Sequence, residues 1–233
     1  MGDLNRNILY LIWKDPRSRS NYIIGKLARE KTYTFEYCGE YEKALELGWK
    51  LLDAFPDIKK YESDTLFAAF SARLPDPKRR GIEEILKKYD LTEYDGYELL
   101  KRSTGKLPID TYEFIDPILQ EDKTVVREFY IVGIRHQAKC KGDNCDRLPD
   151  VKVHDELILC REPENEYDEY AVKILSCDGE VLGYVPRYYS EGVFDRLTKG
   201  SSYSCEVVEV SDVKNCECCV KVVLRIPKDA TRY

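Results

Sequence analysis

Nine cysteines are many for a chain of 233 residues, and their spacing says more than their number. "CKGDNC" at 140–145 and "CECC" at 216–219 are the two clusters. Thiolates from two such loops can build a tetrahedral zinc site with Zn–S distances of ~2.3 Å. Adjacent cysteines do not usually ligate one ion together, so the set on offer is Cys140, Cys145, Cys216 and Cys219. Structural zinc is the one cofactor the sequence suggests, with free thiols as the alternative. The odd count and the lack of a secretion signal argue against a disulfide framework. Cys160 and Cys205 fall in strand-like runs and are expected to pack in a core.

Other chemistry is thinly represented. No Gly-rich Lys-Ser/Thr loop stands ready for a triphosphate, and no His-Glu-x-x-His for a catalytic metal. Only two histidines exist, and His154 beside Asp155 reads as a surface residue. Asp-x-Lys triplets of the nuclease kind occur at Asp150–Lys152 and Asp212–Lys214, each without a partner carboxylate at a useful spacing. With a third of the chain charged, such triplets arise by chance, and the expectation is a protein that is not an enzyme. The most ordered polar stretch is "PENEYDEYAV" at 163–172, where Asn165, Tyr167 and Asp168 follow one another. Asn and Asp in a loop cap turn amides, and on that reading Tyr167 packs beneath the turn.

The elements that must carry these residues divide the chain near residue 120. Residues 1–120 open with "NILYLIW", "NYIIGKLA" and "KTYTFEYC", a small antiparallel sheet. Helical periodicity comes next in "EYEKALELGWKLLDAF", "SDTLFAAFSARL", "DPKRRGIEEILKKYD" and "YDGYELLKRSTG", with Asp76 and Pro77 as a start signal. From 121 to 233 short strands take over: "REFYIVGIR", "HDELILCRE", "AVKILS", "EVLGYV", "SYSCEVVEV" and "CCVKVVLRI". An Asp178-Gly179 hairpin signal joins the third and fourth, and one helix, "RYYSEGVFDRLTKG", precedes the fifth. The fold class is α+β: a small sheet plus helices, then a six-stranded OB-like or SH3-like β-barrel with one helix.

The net charge of −6 splits as about −1 before residue 121 and about −5 after it, so neither half carries the basic excess of a non-specific duplex binder. Nucleic-acid contact would have to be local. The runs Lys78–Arg80 and Lys87–Lys88 read as a solvated helix face. No apolar run approaches the ~20 residues of a membrane span, and the N-terminus lacks the flank and cleavage site of a signal peptide. The expected location is cytoplasmic, with no membrane partner.

Two resemblances sharpen this. "FYIVGIR", "DELILCREPENEYDEYAVKI" and "LGYVPR" occur over about 100 residues in the order of a HIRAN domain, which the second half resembles. More faintly, "GKLAREKTYTFEY", "LFAAFSARLPDPKRR" and "YDGYELLKRSTGKLPID" are similar to the N-terminal subdomain of HipA-type kinases, without their kinase domain. The HIRAN resemblance implies an OB-like barrel that captures a free 3′ end of single-stranded DNA. Arg135 and His136 fall where that site has a basic residue followed by an aromatic. Asn165, Tyr167 and Asp168 fall in its Asn-Pro-Tyr-Asp loop, and Tyr184 and Arg187 in its Gly-x-x-x-Arg/Lys stretch. Asp168 would accept a terminal hydroxyl and repel an esterified, phosphate-bearing one. Tyr167 and His136 would stack on the last bases, while Arg135 and Arg187 hold phosphates. The chain departs from the pattern at Glu166, where the loop usually has proline, and at His136, a smaller ring than tyrosine.

The resulting expectation is a binding protein for single-stranded DNA, at a 3′-hydroxyl end, with the first domain as a platform for a protein partner. A protein-interaction module of toxin-antitoxin or phage-defence type is the alternative, and a metal-dependent nuclease the third reading. DNA and RNA are not distinguished by these residues.

Overall fold

The computed structural model describes residues 7–118, 124–137, 150–211 and 218–228. The chain divides into two compact units, Met1–Pro117 and Ile118–Tyr233.

In the first unit five strands form one sheet in the order β4-β3-β2-β1-β5, from β1 (Ile8–Lys14), β2 (Asn21–Arg29), β3 (Tyr33–Tyr37), β4 (Tyr61–Ser63) and β5 (Tyr112–Ile115). Asp15 makes the β1–β2 turn by accepting from the backbone N–H groups of Arg17 and Ser18 and from the Ser18 hydroxyl. The sheet packs on α1 (Tyr41–Glu46), α2 (Ala68–Ser71) and α4 (Gly96–Ser103), whose buried Ala44, Phe70, Tyr97 and Leu100 join its core, and α3 (Ile82–Lys88) lies between α2 and α4 in the chain. At the centre the rings of Phe35, Phe55 and Phe70 lie 4.4–5.2 Å apart. Asp95 caps α4 by accepting from the Tyr97 and Glu98 amides, and its carboxylate also takes a two-pronged bond from Arg29 on β2.

The long helix expected over residues 40–55 is cut short. Gly48 turns left-handed (φ 94°), and the segment beyond it is hung on one buried hydroxyl: Tyr37 donates to the Phe55 carbonyl at 2.7 Å and accepts from the Leu52 amide at 2.9 Å. Trp49 is buried and donates its indole N–H to the Tyr112 hydroxyl. Apolar residues at helical spacing are buried here by an irregular segment, because a core can accept them in either form. Likewise α3 starts only after Gly81, with Lys78, Arg79 and Arg80 exposed ahead of it.

The second unit holds β6 (Val125–Tyr130), α5 (Ile134–Gln137), β7 (Ile158–Arg161), β8 (Val172–Leu175), β9 (Val181–Tyr184), α6 (Arg187–Thr198), β10 (Ser204–Val210) and β11 (Val220–Ile226). The six strands expected are there, but they pair as two three-stranded sheets, β10-β11-β6 and β7-β8-β9, rather than as a continuous closed barrel. Two seams link the sheets. At one, Leu157 donates to the Cys205 carbonyl and Val207 to the Asp155 carbonyl. At the other, Val132 and Tyr184 exchange both backbone bonds, at 3.0 and 2.8 Å. A ladder cannot run on through that second seam, because Gly133 (φ 76°) turns the chain out of β6 into a helical turn. The unit therefore has a second helix, α5, that the sequence reading ran on as strand. Buried Val207, Val220, Val222, Val223, Leu224 and Val193 supply its interior. Cys205 is buried there as expected, whereas Cys160 is exposed on β7, its side chain on the outer face of that strand.

Candidate nucleic-acid interface

Strands β7 and β8 pair from Ile158↔Leu175 to Arg161↔Val172, and the Glu162 amide extends the ladder one step to the Ala171 carbonyl at 2.8 Å. Residues 163–170 are thus a loop clamped at its base. Inside it Asn165 Oδ1 accepts from the amides of both Tyr167 (2.9 Å) and Asp168 (3.1 Å). Asp168 Oδ1 in turn accepts from the Tyr170 amide at 3.0 Å. The turn-capping roles open to Asn165 and Asp168 are both realised, but Tyr167 does not pack beneath the turn: it is 83% exposed.

Helix α6 secures the loop from its other side. Arg187 donates through Nη2 to the Tyr167 carbonyl, and Ser190, 2% exposed, donates its hydroxyl to Asp168 Oδ2 at 2.8 Å. Arg187 and Ser190 are three residues apart and so share a face of the helix. The ring of Tyr167 is left projecting from backbone that is held on both flanks.

Glu162 ties the loop to the neighbouring strands. Its carboxylate accepts from Asn165 Nδ2 at 2.9 Å, pairs with Lys173 on β8 and bonds the Tyr184 hydroxyl on β9. The Lys173 contact, foremost, holds the Glu162 carboxyl below its usual range, and the same contact raises Lys173. Tyr184 is pushed up by burial and then by its bond to Glu162. Lys173 stands directly opposite Tyr184 in the β8–β9 ladder.

Arg135 does not end the first strand of the unit, as expected from "REFYIVGIR"; that strand stops at Tyr130, and Arg135 and His136 follow it on a helical turn. They lie exposed on α5, and α5 is brought to β9 by the Val132–Tyr184 bond pair. That approach depends on Gly183: a Cβ there would sit 2.4 Å from the Val132 carbonyl oxygen and 2.7 Å from Ile131 Cγ2. On the other side of the same contact, a Cβ on Gly133 would lie 3.5 Å from the Tyr184 ring. Of the expected site residues, Asn165, Tyr167, Asp168 and Arg187 are linked by direct bonds, Tyr184 joins them through Glu162, and Arg135 and His136 reach Tyr184 through backbone. Glu162, Lys173 and Ser190 were not singled out from the sequence.

The zinc set cannot be assembled from the structure: Cys140, Cys145 and Cys216 lie outside the described residues, and Cys219 is buried. Among the described residues no group of three or more His, Cys, Asp or Glu side chains could hold a metal ion, and no helix is long and apolar enough to cross a membrane. Of the Asp-x-Lys triplets, Asp212 and Lys214 also lie outside the described residues. The other is occupied in a turn in which the Lys152 amide donates to Asp155.

Residues 126–227 match the HIRAN domain family. A Fanconi-associated nuclease 1 homolog of Arabidopsis thaliana is 33% identical over 73 residues, 31% of this chain and 7% of that protein's length. The crystal structure of the HIRAN domain of human HLTF is 16% identical, covering 47% of this chain and 84% of that one with a TM-score of 0.35. A crystal structure of a Lactobacillus plantarum protein is 21% identical, covering 46% of this chain and 97% of that one with a TM-score of 0.36.

Proposed function

We propose, with residues 126–227 taken as a HIRAN domain, that the second unit binds single-stranded DNA and reads a free 3′-hydroxyl end. The observation that carries this is Tyr167: a large ring 83% exposed on a loop whose backbone is held by the Asn165, Asp168 and Arg187 side chains. A ring left in water gains nothing from folding, and a nucleobase stacked on it contributes about 1 to 3 kcal/mol to binding. Asp168 beside it accepts the terminal hydroxyl. Arg135 and Arg187 take the phosphates, and His136 and Tyr184 line the strand's path. The first unit serves as a platform for a protein partner. The nuclease activity named in the Arabidopsis protein belongs to a chain of which this match spans 7%.

The test is fluorescence anisotropy of the full chain with a short labelled strand ending in either a 3′-hydroxyl or a 3′-phosphate, at two salt concentrations. Tighter binding of the hydroxyl end is expected. Asp168→Ala reduces that preference by roughly tenfold, the worth of a hydrogen bond to a charged group. Arg135→Ala weakens both ends alike and lowers the salt slope by about one. Equal affinity for the two ends in the wild-type chain would refute end recognition, and salt-insensitive or absent binding would refute the nucleic-acid reading altogether.

A further inference from the structure

The loop's inward carboxylate has one partner with no part in forming the turn, the Ser190 hydroxyl on α6. Asp168 is thereby gripped from both directions: Oδ1 by the Tyr170 amide at 3.0 Å and Oδ2 by Ser190 at 2.8 Å. One bond would leave the carboxylate plane free to turn about its last torsion, which is broad and two-fold for aspartate. Two bonds, one to each oxygen, fix the plane. They also use one acceptor position on each oxygen, so the lone pairs that remain point in set directions.

Ser190 has a second acceptor within reach. Its oxygen lies 2.9 Å from the Arg187 carbonyl three residues back in α6, and a hydroxyl has a single proton to give. The ionised carboxylate is the stronger acceptor. As a helix residue serine is inferior to alanine, and burial at 2% exposure adds the cost of a desolvated hydroxyl. The bond to Asp168 offsets both penalties more than a bond to the Arg187 carbonyl would, because its acceptor is charged.

Resting on the end-recognition reading above, we infer that Ser190 is the residue that sets end specificity, by positioning the Asp168 carboxylate from the floor of the loop without touching DNA. It selects for a terminal hydroxyl because a carboxylate fixed in plane can accept one further donor along a set direction but cannot swing aside to admit a phosphate.

Two measurements on the full chain test this. In anisotropy titrations Ser190→Ala lowers the preference for a 3′-hydroxyl over a 3′-phosphate strand by roughly three- to tenfold, chiefly by binding the phosphate end better. In the Asp168→Ala background the same change has no further effect on the ratio. Without DNA, hydrogen exchange at the Tyr170 amide becomes several-fold faster in Ser190→Ala, because its acceptor now turns. A merely structural serine predicts the opposite: an unchanged ratio, unchanged Tyr170 exchange and a helix slightly stabilised by alanine, and that result overturns the inference. If the wild-type chain shows no end preference while Tyr170 exchange still rises, Ser190 positions Asp168 but the specificity role is refuted together with end recognition. A wild-type preference that survives Ser190→Ala refutes the inference alone.

Discussion

Replacing Asn165 by Asp exchanges one amide nitrogen for oxygen and changes almost nothing in shape. Oδ1 still accepts from the Tyr167 and Asp168 amides, so the turn keeps its cap. The other atom now faces Glu162 Oε2 across 2.9 Å, where a donor has become a second carboxylate oxygen. A hydrogen bond to a charged group, worth about 1.5 to 3 kcal/mol, is lost. Like-charge repulsion adds about 1 kcal/mol at water-like screening, part of which Lys173 and rotation of the new side chain relieve. A net cost of about 2 to 3 kcal/mol should lower the melting temperature of the second unit by roughly 10 °C. Thermal unfolding of Asn165→Asp, Glu162→Gln and the double variant forms the decisive cycle. In the double variant the new carboxamide at position 162 can donate to the new carboxylate at position 165, restoring the bond with its polarity reversed, so a favourable coupling of about 1 kcal/mol or more is expected. Strict additivity, within the ~0.5 kcal/mol typical of independent sites, would show that the Glu162–Asn165 contact does not hold the loop.

Two further outcomes concern other parts of the molecule. Gly183→Ala should open the seam between β9 and the turn before α5, losing the Val132–Tyr184 bond pair and adding overpacking, about 2 to 5 kcal/mol in all; a denaturant midpoint within error of wild type would contradict the 2.4 Å approach. In the first unit, burial pushes Tyr37 up to about 12 from an ordinary 10. A group whose folded value is raised contributes stability that is complete below pH 10 and is lost as pH climbs toward 12, so urea stability should fall across that window, and Tyr37→Phe should flatten the fall; an unaltered slope would place the alkaline sensitivity elsewhere.

What could be read from the sequence was what local rules control. The six strands of the second unit, α6 and the first three strands of the first unit follow from alternation, β-branched content and turn signals. Asn165 and Asp168 were legible because capping is a matter of two or three residues. Glu162 was not, because its three partners lie on three different segments. Lys173 could have been found by counting outward from the Asp178-Gly179 turn, which puts it opposite Tyr184. The observed turn is in fact one residue longer, and a bulge between Ile174↔Gly183 and Leu175↔Val181 restores the count. Ser190 left no signal at all: a serine in a helix looks like a surface choice until the loop it meets is known. The continuation of the first strand through Arg135 failed for the converse reason. Gly133 can be read equally as part of a strand or as a left-handed turn, and the carbonyl of Val132 meeting the bare Cα of Gly183 is a tertiary fact.

The pairing of β6 with β11 has a consequence for chain connectivity more than for chemistry. It places Val125, where the second unit's first strand begins, directly opposite Ile226, where its last strand ends. Paired residues in such a ladder are about 5 Å apart, so the unit enters and leaves at one point. A body whose two ends meet can be spliced into a surface loop of a host, or strung on either side of one, without stretching the host's backbone. Such a unit could be carried within a longer chain without strain at its points of entry and exit.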